Sequence, residues 1–243
     1  RAEAIVQSIL RHTEDLRLPL DLDITLRPEG KNGPVVRSLD SYRAYYRRWS
    51  LTWEAQALLR ARGMVGTSSL LRDFEHLADE VRFPASIAES ELREVRRIKA
   101  RMESERLPGA ADPTRHVKLG RGSLSDVEWV VQIHQLQHAL TVPGLRTTST
   151  LRALDALERE GMLTLTEAAQ LRDAWLFASR VRSAMTLWMV RTTNILPADR
   201  PQLEGIARLM KYPPGSAAVL EDDYLRVTRR ARRVFEKRFF AAP

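Results

Sequence analysis

The chain contains no cysteine. Disulfides, thiolate zinc sites and thiol nucleophiles are therefore excluded. No apolar run approaches the roughly 18 residues that a membrane-spanning helix needs. The opening Arg1-Ala2-Glu3 has neither a start methionine nor a signal-peptide pattern, as expected of a piece cut from a longer cytoplasmic protein. Gly-x-Ser-x-Gly is absent, and no nucleophile–base pair is readable. There is no internal repeat and no low-complexity tract. Lysine is scarce: of 39 basic residues only Lys31, Lys99, Lys118, Lys211 and Lys237 are lysines.

What remains is globular. The 243 residues are 44% hydrophobic and 29% charged, enough for one large or two small domains that bury a core without staples. The formal charge of +8 is carried mostly by arginine, whose planar fork suits phosphate, carboxylate or an acidic partner. The alternative is arginine spread over solvated helices. No RNA-binding aromatic motif interleaves the charges, so nucleic acid is not an expected partner. Only Arg226–Arg238 is dense, and there Val227, Ala231, Val234 and Phe235 define the inward face of a terminal amphipathic helix.

Hydrophobic spacing predicts helices over Arg1–Arg17, from Leu39 through Trp53, from Trp53 towards Gly63, over Ser90–Arg106, from Asp126 to about Leu140, over Thr150–Glu160, over Ala168–Trp188 and over Ser216–Phe240. Ser38 or Asp40 can cap the second of these, and Thr164-Leu-Thr-Glu167 is a capping box. The five tryptophans fall at apolar helical positions and are expected to be packing. His134 and His138 are four apart, but no glutamate base follows the first, so metal binding is not expected there.

One segment alternates with period two. Leu20, Leu22, Ile24 and Leu26 share one face of a predicted strand, and Asp21, Asp23, Thr25 and Arg27 the other. Val35 and Val36 are expected to begin a short returning strand after the Pro28–Pro34 turn cluster. A single strand needs partners. Carboxylates on a strand are well placed to hold Mg²⁺ beside substrate phosphates, with Arg27 for phosphate charge. A solvated edge strand would show the same alternation. A second segment, Lys118-Leu-Gly-Arg-Gly-Ser-Leu-Ser-Asp126, opens a helix. Its Gly120 and Gly122 amides, with Lys118 and Arg121, could hold an anion. It could equally be a glycine turn before a capped helix, with Asp126 and Glu128 favoured by the helix dipole.

Three blocks resemble glutamine synthetase adenylyltransferases. Asp23-Ile-Thr-Leu-Arg-Pro-Glu-Gly-Lys-Asn-Gly-Pro34 is similar to their V-D-x-R-L-R-P-x-G-x-x-G segment. Trp53-Glu-Ala-Gln-Ala-Leu-Leu-Arg-Ala-Arg62 resembles a W-E-x-x-A-L-x-x-A-R helix, and Lys118 to Trp129 with Gln132 resembles K-L-G-x-G-G-I-x-D-I-E-F-x-x-Q. The arginine richness looks actinobacterial. The resemblance implies a mainly α chain: a C-terminal remnant of an α/β nucleotidyltransferase domain over residues 1–85, then an antiparallel helical bundle over 86–243. It implies the adenylylating half, which transfers AMP from ATP, with Mg²⁺, to a tyrosine of glutamine synthetase. The AMP-removing half and a non-catalytic module binding a PII-type regulatory protein are the alternatives. On this reading Asp23, with Asp21 beside it, binds metal, and Asp23 and Arg27 act in catalysis. Lys118, Gly120, Arg121, Gly122, Asp126 and Glu128 meet the nucleotide. Thr25 and Ser123 depart from the family pattern, and no upstream G-S-x-x-D-x-D strand is present, so the chain is expected not to transfer AMP by itself.

Overall fold

The structure, a computed structural model, describes residues 2–13, 23–105 and 112–240. The chain divides into two compact units, residues 1–82 and 83–243. Among the described residues it is α-helical, with ten α-helices and no strand; an isolated antiparallel bridge pairs His116 with Ile195.

The first unit contains α1 (Ala2–His12), α2 (Leu39–Trp49), α3 (Thr52–Leu58) and α4 (Ser68–Arg82). Ser38 caps α2 by accepting the Ser41 amide at 3.2 Å, which decides between the two candidate caps. The helix predicted from Leu39 through Trp53 is broken at Ser50-Leu51, and α3 starts afresh. There the buried Glu54 accepts the Leu51 amide at 3.0 Å and the Tyr45 hydroxyl at 2.8 Å, locking α2 to α3. Sequence reading missed α4, although Leu70, Leu71, Phe74, Leu77, Ala78 and Val81 have helical spacing. Arg82 closes α4 onto the end of α3 by donating to the carbonyls of Leu58 and Ala61 at 3.0 and 2.8 Å. Neither α1 nor α2 buries a single residue.

The strand expected over Leu20–Leu26 is not found where it can be seen. Residues 20–22, with Asp21, lie outside the described residues; residues 24–26 form turns and a bend. The reason is local. Asp23 Oδ1 accepts the Thr25 amide at 2.8 Å and its hydroxyl at 2.6 Å, and the Arg27 amide bonds Thr25 O at 2.9 Å. Short polar side chains that bond their own backbone compete with extended pairing, and among the described residues no neighbouring strand offers a ladder in its place. Val35 and Val36 likewise sit in a bend rather than a returning strand.

The second unit is built on α5 (Glu89–Glu105), α6 (Leu124–His138), α7 (Thr150–Arg159), α8 (Leu165–Met189), α9 (Arg200–Leu209) and α10 (Ala217–Phe239). The long α8 is central, packed on by α6, α7, α9 and α10. Its Ala168, Ala174 and Ala178 are fully buried, and such small side chains let neighbouring backbones come close. Ten of the 15 residues of α6 are buried, the polar Ser125, Asp126 and Gln135 among them. The Thr164 box forms as the sequence predicts, with the Glu167 amide on Thr164 Oγ1 at 3.2 Å and the Thr164 amide on Glu167 Oε2 at 3.0 Å. Sequence reading also missed α9. Pro201 opens it rather than breaking it, and Asp199 caps it through the Gln202 amide at 3.0 Å.

Candidate functional site

The residues singled out by sequence fall into two groups, one in each unit. In the first, Asp23 is exposed, and its carboxyl is held below the usual range first by the Thr25 hydroxyl, then by the Thr25 amide, with Lys31 adding charge. It is therefore ionised at neutral pH. Arg27 is committed to its own loop. Nε donates to Pro34 O at 3.2 Å, Nη2 donates to Gly33 O at 2.9 Å, and Nη1 donates to Ile24 O. Its guanidinium thus clamps the turn that follows Asp23, and this corrects the expectation that it is spread towards phosphate. Gly33 lets the turn close, because a Cβ there would lie 2.3 Å from Pro28 O. A cavity of about 270 Å³ opens between this turn and α3, lined by Leu26, Arg27, Tyr46, Trp53, Leu58 and Arg60 among others.

The family resemblance implies magnesium. The described residues contain no group of three or more His, Asp or Glu side chains able to hold a metal ion. Asp23 supplies one carboxylate and already spends Oδ1 on Thr25. These residues do not make a magnesium site, and no step through the ion follows from them.

The second group lies at the start of α6, and its atoms divide sharply. The Gly120 amide donates to His116 O at 2.7 Å, and the Gly122 amide to Asp126 Oδ2 at 2.6 Å. The Lys118 and Leu119 amides donate to His116 Nδ1 at 3.3 and 2.9 Å. Burial lowers the His116 pKa, which keeps the ring neutral and leaves that nitrogen an acceptor. The amides an anion cradle would need are thus spent inside the fold. Gly122, at φ +72°, also lies against α10, where a Cβ would meet Thr228 O at 1.8 Å.

Asp126 is fully buried and ionically satisfied. Oδ1 meets Lys99 Nζ at 2.6 Å and Oδ2 meets Arg232 Nη1 at 2.9 Å. Lys99, itself 1% exposed, also pairs with Glu103 at 3.0 Å and donates to Ser125 Oγ at 3.0 Å. Arg232 reaches Glu103 at 3.0 Å and Glu236 at 2.7 Å. Burial alone would raise the Glu103 pKa, but Arg232 and Lys99 reverse that and hold it down. The cluster joins α5, α6 and α10 across the Phe235 ring, over which both cations sit, at 5.3 and 4.8 Å. Asp126 is an internal tie, so its carboxylate is not available to a nucleotide. Lys118 and Arg121 are exposed and Glu128 is half-buried. Sequence reasoning missed Lys99 and Arg232 as partners; an apolar-flanked lysine inside a charged helix was the only local hint.

Known proteins divide the chain in a similar place. Residues 3–77 match the family model for glutamate-ammonia ligase adenylyltransferase, and residues 93–239 match that for GlnD PII-uridylyltransferase. A protein of Leifsonia xyli is 66% identical over 242 residues, covering 100% of this chain and 24% of that protein. One of Streptomyces avermitilis is 53% identical over 225 residues, covering 92% and 22%. One of Mycobacterium avium is 49% identical over 222 residues, covering 91% and 22%. Each bears the name bifunctional glutamine synthetase adenylyltransferase/adenylyl-removing enzyme. The chain spans about a quarter of the length of these relatives.

Proposed function

We propose that the chain is part of a glutamine synthetase adenylyltransferase, as its relatives and the match of residues 3–77 suggest, and that it comes from the adenylylating half, in which AMP passes from ATP to a tyrosine of glutamine synthetase. The tyrosine oxygen attacks the α-phosphorus, a phosphoester forms, and pyrophosphate leaves. The observation that supports the family reading is the 66% identity, sustained over 242 residues, to a protein named for both AMP transfer and AMP removal; the choice of the adenylylating half rests on the family resemblance of the sequence blocks. Residues 1–85 are on this reading the end of the nucleotidyltransferase domain, and 86–243 a helical bundle. Asp23, ionised and exposed at the head of a clamped turn, is the described carboxylate that matches the family's segment and on this reading faces the nucleotide. Arg27 acts by holding that turn. The chain alone, with one described carboxylate where the family uses three, is expected not to transfer AMP.

Two measurements test this. Asp23→Asn in the full-length enzyme should abolish AMP transfer while leaving binding to glutamine synthetase intact; undiminished transfer refutes the role. Incubated with ATP, Mg²⁺ and glutamine synthetase, the 243-residue chain should leave the synthetase unmodified, and transfer at the full-length rate would contradict the carboxylate assignment. The match of residues 93–239 to a PII-uridylyltransferase model favours a second reading, a helical module that binds a PII-type regulator. A pull-down of such a regulator by the chain, with Asp23→Asn silent in the full-length enzyme, would select it.

A further inference from the structure

The outer face of α8 near its C-terminus carries a feature that the adenylylation reading does not use. Two adjoining cavities, of about 310 and 520 Å³, share Ser179, Ser183 and Leu187. These residues recur at four-residue spacing and therefore lie on one helical face. The first cavity runs to Lys211 and Arg180, the second to Arg182, Thr186 and Thr192. Three cations and four hydroxyls thus line the groove, and neither cavity is lined by a carboxylate.

The charges are not consumed internally. Arg180 and Lys211 have no ion-pair partner among the described residues, in contrast to the fully paired Lys99 and Arg232. Arg182 is steadied by one bond, Nε to Asn194 Oδ1 at 2.9 Å, which leaves its remaining donors able to turn to the groove. The walls between these polar groups are apolar, from Leu124, Leu187, Leu209 and Met210. Leu187 is 72% exposed, so its side chain is open to a ligand in the groove.

The backbone is strained where α8 and α9 end. Val190, where α8 stops, has φ +52°, and Lys211, where α9 stops, has φ +67°. They are two of the three described non-glycine residues with positive φ. A β-branched residue is poorly suited to that conformation, and glycine is the usual choice for such helix ends. Strain of this kind collects where a fold holds groups in place for a ligand.

The geometry points to a binding site for a small organophosphate, with Arg180, Arg182 and Lys211 on the phosphate, Ser179 and Ser183 donating to its oxygens, and Leu187 against the organic body. Guanidinium and hydroxyl donors match a tetrahedral oxyanion, and the cavity sizes are those of small-molecule sites rather than of a bound helix. The site lies wholly in the helical unit and does not depend on the adenylylation reading, so either can fail alone.

The test is a titration of the ¹⁵N-labelled 243-residue chain with phenyl phosphate, followed by NMR, with phenol, inorganic phosphate and an oligoglutamate peptide as parallel probes. Phenyl phosphate should give saturable shifts in residues 179–192 and 209–211, and inorganic phosphate weaker shifts at the same residues. Arg180→Glu and Lys211→Glu should each weaken phenyl phosphate about tenfold or more, the effect of losing one charge-assisted bond. Should a reversed charge unfold the helical unit by circular dichroism, Arg180→Gln and Lys211→Gln take its place and should weaken binding in the same direction. The site is refuted by an absence of saturable shifts at millimolar phenyl phosphate, by phenol binding as tightly as its phosphate, or by affinity that ignores all of these variants. Binding of oligoglutamate in preference to phenyl phosphate also refutes it, and would make the groove a docking site for an acidic protein segment.

Discussion

Replacing Asp126 by asparagine separates an internal tie from a ligand contact. The side chain keeps its shape, and its remaining oxygen can still accept the Gly122 amide. What disappears is the negative charge between Lys99 and Arg232, at 2.6 and 2.9 Å, in a position with no solvent exposure. Removing one member of a buried ion pair costs about 3–5 kcal/mol, because the other charge is left without compensation. Glu103 still contacts both cations at 3.0 Å, and Glu236 still pairs with Arg232. The expected cost therefore lies at the low end, about 3 kcal/mol. For a unit of this size that lowers the melting temperature by about 6–12 °C. The assay is urea unfolding of the chain followed by helical ellipticity, with the slope checked for constancy. Lys99→Met on the Asp126→Asn background should recover part of the loss, since it removes the orphaned charge. An Asp126→Asn protein within about 0.5 kcal/mol of the parent, the range of ordinary surface changes, would refute the reasoning and free Asp126 for a role towards nucleotide.

Glu167 gives a pH signature. Burial would raise its pKa, but Arg238, Lys237 and the Thr164 amide override it and take the group from 4.5 to about 2. A depressed folded-state pKa stabilises above the unfolded value, so this contribution is full above about pH 4.5 and is lost as pH falls towards 2. With Lys237 65% exposed, solvent screening reduces it to about 2 kcal/mol. Stability measured across that window should fall more steeply in the parent than in Glu167→Gln; parallel curves would remove Glu167 from the account. Gly122 and Gly161 form a matched pair, at φ +72° and +69°. Gly161→Ala, with nothing near its Cβ, should cost about 1 kcal/mol, whereas Gly122→Ala, driven into Thr228 O, should cost about 3 kcal/mol or more by chemical denaturation. Equal costs would show that α10 does not press on the α6 entry.

The helical content was largely legible, because the apolar spacing of α5 to α8 and α10 is long and sustained. Two errors have physical causes. Pro201 looks like punctuation, but proline at the first turn of a helix removes only an amide that had no partner. The alternation through Asp23 and Thr25 looks like a strand, but the same two side chains bond each other and their own backbone into a turn. Period two records which side chains could face a core; it cannot report whether a neighbouring strand exists to accept the ladder. The ion cluster was illegible for a different reason. Asp126 and Arg232 are 106 residues apart, and no local pattern signals that α10 will bring a guanidinium to the start of α6.

The Lys118–Glu128 block shows how far a motif's wording can be converted into roles. Its resemblance to family members assigns one function to the whole run, yet the fold sorts the run by whether each atom still has a bond to give. Gly120 and Gly122 are explained by close backbone approach, Ser123 and Ser125 by bonds to Val117 O and Lys99, and Asp126 by its two cations. Each of these residues is required for α6 to start where it does against α10, whether or not a nucleotide is ever bound. The exposed ends of Lys118 and Arg121 are what this internal accounting leaves over. A block can therefore look like a binding loop because its glycines and acidic residue fix the angle of a helix, while the ligand contacts, if they come from here, fall to the cations that the packing does not use. That places the chemical weight of the helical unit on its unpaired surface charges, at Lys118 and Arg121 on one side and at Arg180 and Lys211 in the α8 groove. Charge-reversal at either pair should leave folding intact and move only binding, the opposite of the behaviour expected of Asp126.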